Sequence, residues 1–220
     1  MTVPATSSLK LALFGATGSL GAECLAQSLL AGHEVTVLAR TPSKLPEGLR
    51  DRIRVIEGDA LDPAAVERTL EGGIEAVLFA VGVDRSSPED LCTDVTRHIL
   101  AAMKRLGVRR FVWCGGGATL VDDDVVTFGA RFVEFFSRTF LGLRHRDKIH
   151  QLALLERHRD LQWVGVRPLQ MRQGPRRGEY RLGFDSFSGF SKVHFADCAD
   201  AMLRMTTDDA WLHKAPIIQY

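Results

Sequence analysis

Near its start the chain reads Gly15-Ala16-Thr17-Gly18-Ser19-Leu20-Gly21. Glycines at this spacing let backbone turn tightly and gather free N–H groups at one point. That chemistry suits holding a phosphate rather than breaking a bond. The context matters more than the triplet. It follows a short apolar run, residues 9–14, and opens a segment, 19–31, with Leu25, Leu29 and Leu30 on one helical face. In such a strand–turn–helix unit Gly15 permits the turn, Gly18 admits a pyrophosphate, and Gly21 lets helix and strand pack closely. The plainer alternative is a tight turn with no ligand.

The end of the next apolar run, 34–39, bears on which dinucleotide is held. An acidic residue there would accept hydrogen bonds from an NAD ribose and repel a 2′-phosphate. The chain has Arg40 instead, followed by Thr41, Ser43 and Lys44. A guanidinium holds a phosphate through a forked pair of hydrogen bonds. The expectation is NADP(H) in preference to NAD(H), the alternative being that Arg40 and Lys44 are solvated loop charges. Asp59, with Ala60 beside it, follows a third run. Its carboxylate could meet an adenine amino group or cap the helix that starts near Pro63. Val81 and Gly82 end a fourth run, where a glycine lets a cofactor lie close to backbone.

The elements that must position these residues alternate. Strands are expected at 9–14, 34–39, 53–57, 76–81, 110–114 and 162–166. Helices are expected at 19–31, 63–71, 88–106, 147–158 and 195–206. Crossover helices between strands imply parallel pairing, and runs apolar throughout imply helices on both faces. The fold expected is an α/β Rossmann-type doubly wound parallel sheet in one domain, 1–220, with a small C-terminal substrate-covering part. Segments 117–146 and 169–193 fit the alternation poorly and are the candidate substrate-side pieces.

Composition agrees with a globular chain, at 45% hydrophobic and 25% charged residues. The formal net charge of +1 gives no general pull toward nucleic acid or a membrane surface. Residues 1–103 carry 9 Lys/Arg and 14 Asp/Glu, whereas 104–220 carry 19 and 13, so the later half favours an anionic ligand or simply a charged surface. Cys24, Cys92, Cys114 and Cys198 have no metal-ligand spacing and read as buried thiols in a reducing compartment. No stretch nears the roughly 18 apolar residues of a membrane span, and the N-terminus lacks a signal-peptide pattern. A cytoplasmic location is expected, with a small molecule as partner.

The motif Gly-Ala-Thr-Gly-x-x-Gly, Val37-Leu38-Ala39-Arg40, Gly58-Asp59 and Val166-Arg167-Pro168 resemble the atypical short-chain dehydrogenase/reductases of the NmrA-like group. The chain is similar in particular to the biliverdin reductase B (flavin reductase) family. The similarity extends through Ala101-Ala102-Met103-Lys104, Gly107-Val108, Met202-Leu203-Arg204, Thr206-Thr207-Asp208 and Gln219-Tyr220. It is weakest over 117–146 and 172–193. The resemblance implies NADPH-dependent reduction of flavins, tetrapyrroles or related conjugated acceptors. It implies cofactor contacts at Thr17, Gly18, Ser19, Leu20, Arg40, Asp59, Val81 and Gly82. It also places Cys114, Gly115, Gly116, Pro168, Leu169 and Gln170 near the nicotinamide. The family pattern has a serine where this chain has Gly116 and a histidine where it has Gln170.

Short-chain dehydrogenases that interconvert alcohols and ketones use Tyr-x-x-x-Lys. The two tyrosines here, Tyr180 and Tyr220, have no lysine four residues on. Hydride transfer to a conjugated acceptor asks less: the nicotinamide held near the acceptor, water excluded, and a proton supplied afterwards. Lys148 and His150 are the candidate proton donors, or else ordinary surface groups. Asp122-Asp123-Asp124 reads as a solvated loop, and no metal is expected. Phe128, Phe132, Phe135, Phe136 and Phe140 make either a docked or subunit-facing helix, consistent with a homodimer, or a lid with Phe132 and Phe136 against a flat acceptor. Arg176 and Arg177, near Arg172 and Arg181, are candidates for holding an anionic substrate. The leading reading is a reductase of a conjugated small molecule; the alternative is a non-catalytic NADP(H)-binding redox sensor acting through a protein partner.

Overall fold

The computed structural model describes residues 8–84, 86–125, 131, 135, 142–184 and 191–220, with the backbone alone at 143 and 144. Its first half follows the expected alternation. β1 (Lys10–Phe14) leads to α1 (Ser19–Leu30), β2 (Glu34–Ala39), β3 (Arg54–Glu57), α2 (Pro63–Leu70), β4 (Ala76–Phe79), α3 (Leu91–Leu106) and β5 (Arg110–Cys114). α4 (Gly142–Glu156) and β6 (Gln162–Pro168) follow, then the short β7 (Gln170–Arg172), β8 (Arg181–Gly183) and β9 (Lys192–His194). α5 (Phe195–Arg204) and β10 (Ile217–Gln219) complete the described elements.

The sheet runs β3-β2-β1-β4-β5-β6-β10-β8. All these pairings are parallel except β8, which lies antiparallel on β10. The chain winds outward from β1 through β3, then returns to start again at β4 on the other side. This puts a crevice at the carboxyl ends of β1 and β4. Alternate residues of β1 serve opposite faces: Leu11 and Leu13 pack toward α1 and α5, Ala12 and Phe14 toward α2, α3 and α4. Both faces are therefore covered, as an apolar parallel sheet requires.

Four short strands, β7 to β10, are absent from the sequence expectation. Each has three residues, too few for periodicity to register. β7 and β9 pair with each other in a separate two-stranded parallel sheet. The substrate-side segment 169–193 thus contains regular structure at both ends. The Phe-rich stretch lies mostly outside the described residues, Phe132 and Phe136 included; Phe135 is described and exposed.

Candidate cofactor cleft and active site

Gly15 sits at φ +91°, and a Cβ there would stand 2.6 Å from the Ala80 carbonyl. A Cβ on Gly21 would stand 2.1 Å from the Gly15 oxygen. Both positions require glycine, and together they press the turn against β4 and seat α1 on it. Gly18 is the N-cap of α1 and gives it no side-chain cap, and no acidic residue lies in the first turn. The orphan N–H groups of that turn therefore face outward with the positive end of the helix dipole.

This turn lines a cleft of about 340 Å³. Gly15, Thr17 and Gly18 form one wall, and Asp59, Ala60, Val81 and Gly82 another. Arg40, Thr41 and Lys44 stand exposed at the mouth above β2. A Cβ on Gly82 would meet nothing within 4 Å, so the cleft is open there. A free helix N-terminus, glycine backbone and two cations in one cleft fit a phosphorylated dinucleotide. Ser19, Leu20 and Gly21 continue into α1, the last two buried, so backbone is what they offer. Ser43 lies in the turn Pro42–Lys44, outside the lining.

Asp59 is not a helix cap. Asp62 is, accepting from Ala64 N at 3.0 Å, while Asp59 accepts from Leu61 N at 2.9 Å and remains on the cleft. The sequence reading also missed part of the lining. Phe14 and Leu38 fall in expected strands and Leu91 and Val95 in an expected helix, yet all four border the cleft. Asp84 borders it too, and donors from Ser86 and Ser87 hold its carboxyl below the ordinary range.

The second group of candidates lies one step along the sheet, at the ends of β5 and β6. Gly115 N donates to Val166 O and Gly117 N to Pro168 O, both at 2.9 Å, so the loop after β5 is stitched to β6. Gly115 is pinned under the Trp113 ring, where a Cβ would approach to 2.6 Å. Leu169 packs on Gly117, and Gln170 is exposed at the start of β7. At Gly116 there is room: a Cβ would lie 3.8 Å from Thr119 Oγ1, its nearest neighbour. That buried hydroxyl has no hydrogen-bond partner among the described residues. Asp124, read as part of a solvated acidic loop, is instead paired with the fully buried Arg167, which also donates to the Thr119 carbonyl. This ion pair anchors the loop after β5.

The two proton-donor candidates separate. Lys148 is half-buried, its Nζ 3.3 Å from the Cys114 carbonyl, 3.3 Å from Cys92 Sγ and 3.2 Å from Gln151 Oε1. It also stands 5.5 Å from the Phe79 ring centre. Burial pushes the Cys92 thiol up, with Lys148 opposing. His150 points away, exposed and 3.0 Å from Asp90. All four cysteines are buried and free. The candidate substrate arginines are engaged elsewhere: Arg176 pairs with Asp200, and Arg177 stacks its guanidinium 4.3 Å from the Tyr220 ring centre. Two carboxylates explain why. Asp200 also takes Tyr180 OH at 2.7 Å, while the fully buried Asp197 takes Arg177 N and Gly178 N, each at 2.8 Å, and Tyr220 OH at 2.6 Å. The segment 174–180 is thereby strapped to α5.

The fold and the cleft define a Rossmann-type dinucleotide-binding protein. A family model of NAD(P)H-binding proteins matches residues 15–209, and the chain belongs to that family. It is 26% identical over 201 residues to the Bacillus subtilis protein YwnB, covering 89% of this chain and 91% of that one. It is 33% identical over 121 residues to the reductase pytE of Aspergillus terreus, spanning 44% of this chain and 46% of that one. The structure of ChuY, an anaerobilin reductase from Escherichia coli O157:H7, superposes with a TM-score of 0.77 at 17% identity, over 96% of each chain. Among the described residues no helix is long and apolar enough to cross a membrane.

Proposed function

We propose that the protein is an NADPH-dependent reductase that transfers hydride to a conjugated small-molecule acceptor such as a flavin, tetrapyrrole or quinone. The observation that carries this is the cleft itself: an uncapped helix N-terminus behind a glycine turn, with Arg40, Thr41 and Lys44 at the mouth. Backbone N–H groups of Thr17, Ser19 and Leu20 hold the pyrophosphate, while the Gly18 N–H closes the turn onto the Gly15 carbonyl at 3.0 Å. Arg40 and Lys44 hold the 2′-phosphate, which selects NADP(H) over NAD(H). Asp59 and Ala60 border the adenine end, and Val81 and Gly82 carry the path across β4. When bound, NADPH supplies the hydride from its nicotinamide ring.

The remaining residues position and exclude. Cys114, Gly115, Gly116, Pro168, Leu169 and Gln170 form the wall beside the reacting ring, fixed by the hydrogen bonds between the β5 and β6 ends. That wall keeps water from the transfer. Lys148 holds a proton near the Cys114 carbonyl for the reduced product, with bulk water as the alternative source. The names of pytE and ChuY, both reductases, support the reaction type.

The test is loss of NADPH absorbance with a panel of flavins, quinones, tetrapyrroles and simple carbonyl compounds. Arg40→Glu runs alongside and is expected to raise the Kd for NADPH roughly 10- to 100-fold, the worth of a charged hydrogen-bonded contact. Turnover with a conjugated acceptor supports the reading. Tight NADPH binding with silence across the panel overturns it in favour of a sensor.

A further inference from the structure

α3 starts without a cap of its own. Asp90, at its N-cap position, makes no cap bond and turns to His150 instead. The N–H groups of Cys92 and Thr93 are taken by Asp147 of α4, at 2.8 and 2.9 Å, and the Thr93 hydroxyl donates to the same carboxylate at 2.7 Å. Asp147 is fully buried. The residues around this contact belong to the cleft: Leu91 and Val95 line it, and Cys92 Sγ reaches back toward the Val81 carbonyl at 3.8 Å. The next residue of α4, Lys148, bridges Cys92 to the Cys114 carbonyl at the end of β5.

We infer that Asp147 is a positioning residue for the cofactor. By capping α3 from a neighbouring helix it fixes the Leu91–Val95 wall against the β4 end, and so sets the affinity for NADPH without touching it. Of the two helices bordering the cleft, the buried cap leaves α1 rather than α3 with an N-terminus open to an anion, because a carboxylate already occupies the first turn of α3. This inference rests on the reading that NADPH lies in the cleft.

The experiment compares two buried carboxylates of equal local standing. Asp147 and Asp197 each accept two backbone N–H groups and one hydroxyl, but Asp197 straps residues 177–178 and Tyr220 to α5, away from the cleft. Asp147→Asn and Asp197→Asn are made in the full chain, and Tm and the Kd for NADPH are measured. Both variants lower Tm. Asp147→Asn raises the Kd about tenfold, equal to about 1.4 kcal/mol, whereas Asp197→Asn stays within about twofold of the parent. Thr93→Val, which removes only the hydroxyl donor, raises the Kd about threefold and serves should Asp147→Asn not fold. An unchanged Kd in a folded Asp147→Asn or, failing that, in Thr93→Val overturns the inference. So does an equal rise in Asp197→Asn, which reduces Asp147 to a general structural role. Arg40→Glu separates the two failures: if it leaves the Kd unchanged, the cleft reading itself falls.

Discussion

Two helices begin at the same edge of the sheet, and their first turns are treated in opposite ways. α1 follows β1 with Gly18 as a cap that offers no side chain, so its free N–H groups face the cleft. α3 follows β4 and has its free N–H groups consumed by Asp147, a carboxylate brought from α4. The helix dipole is the same physical object in both cases. One end is left open for a ligand's anion, and the other is closed by an internal one. On the proposed reading the open end binds and the closed end serves as a rigid wall. A helix N-terminus beside a cleft is therefore not a phosphate site until its cap has been accounted for.

The comparison also marks what the sequence could tell. The α1 turn is local: Gly15, Gly18 and Gly21 lie within one turn of chain, and Gly15 and Gly21 are there for steric reasons that spacing reveals. The elements from β1 to β6, the helix α5 and the cation pair Arg40 and Lys44 follow from equally local patterns, whereas the order of strands in the sheet does not. The closed end is not local. Asp147 lies 55 residues beyond Cys92, and a lone aspartate inside a helix carries no mark of what it will cap. The same limit hid Asp124 and Arg167, paired across 43 residues, and gave Arg176 the look of a substrate contact when Asp200 already held it. Leu91 and Val95 read as core because they continue the buried stripe of Ile99 and Met103, whose first turn also borders the cleft.

The sharpest way to break the comparison is to close α1 as α3 is closed. Gly18 has ordinary extended dihedrals, φ −87° and ψ 164°, and a Cβ there meets its nearest atom at 3.4 Å. Gly18→Asp therefore fits, and aspartate is a better cap than glycine by a few tenths of a kcal/mol. Tm should hold or rise slightly. The Kd for NADPH should rise about 1,000-fold, because a carboxylate now occupies the place of the pyrophosphate; two like charges about 4 Å apart at an effective dielectric near 20 repel by about 4 kcal/mol, and each 1.4 kcal/mol is tenfold. A protein that stays folded yet binds NADPH as before would mean that α1 is not the phosphate helix.

A smaller effect is expected beside the closed end. Lys148 gives one charged hydrogen bond to the Cys114 carbonyl, an interaction worth about 1.5 kcal/mol at the lower end of its class. Lys148→Met should lower kcat about tenfold and leave the Kd for NADPH within about threefold. The split matters more than the size. A fall in kcat alone assigns the lysine to the acceptor side, while an equal change in Kd alone makes it part of the same clamp as Asp147. An unchanged kcat gives the proton to solvent.

The smallest effect should come from the surface of the same helix contact. Arg146 pairs with Glu89 at 2.6 Å, one residue from Asp147 in sequence, but the two side chains are 48% and 63% exposed. Exposed pairs of this kind contribute about 0–1 kcal/mol, since water screens them and both side chains lose freedom to meet. Arg146→Ala should move Tm by no more than a degree or two and leave the Kd for NADPH within about twofold. If it weakened NADPH as much as Asp147→Asn, the whole α3–α4 contact would be placing the wall, and the buried carboxylate would lose its special standing. If it does nothing, two neighbouring contacts at the start of α3 divide by burial: Asp147 acts on the cleft, while the exposed Glu89–Arg146 pair only decorates its outer edge.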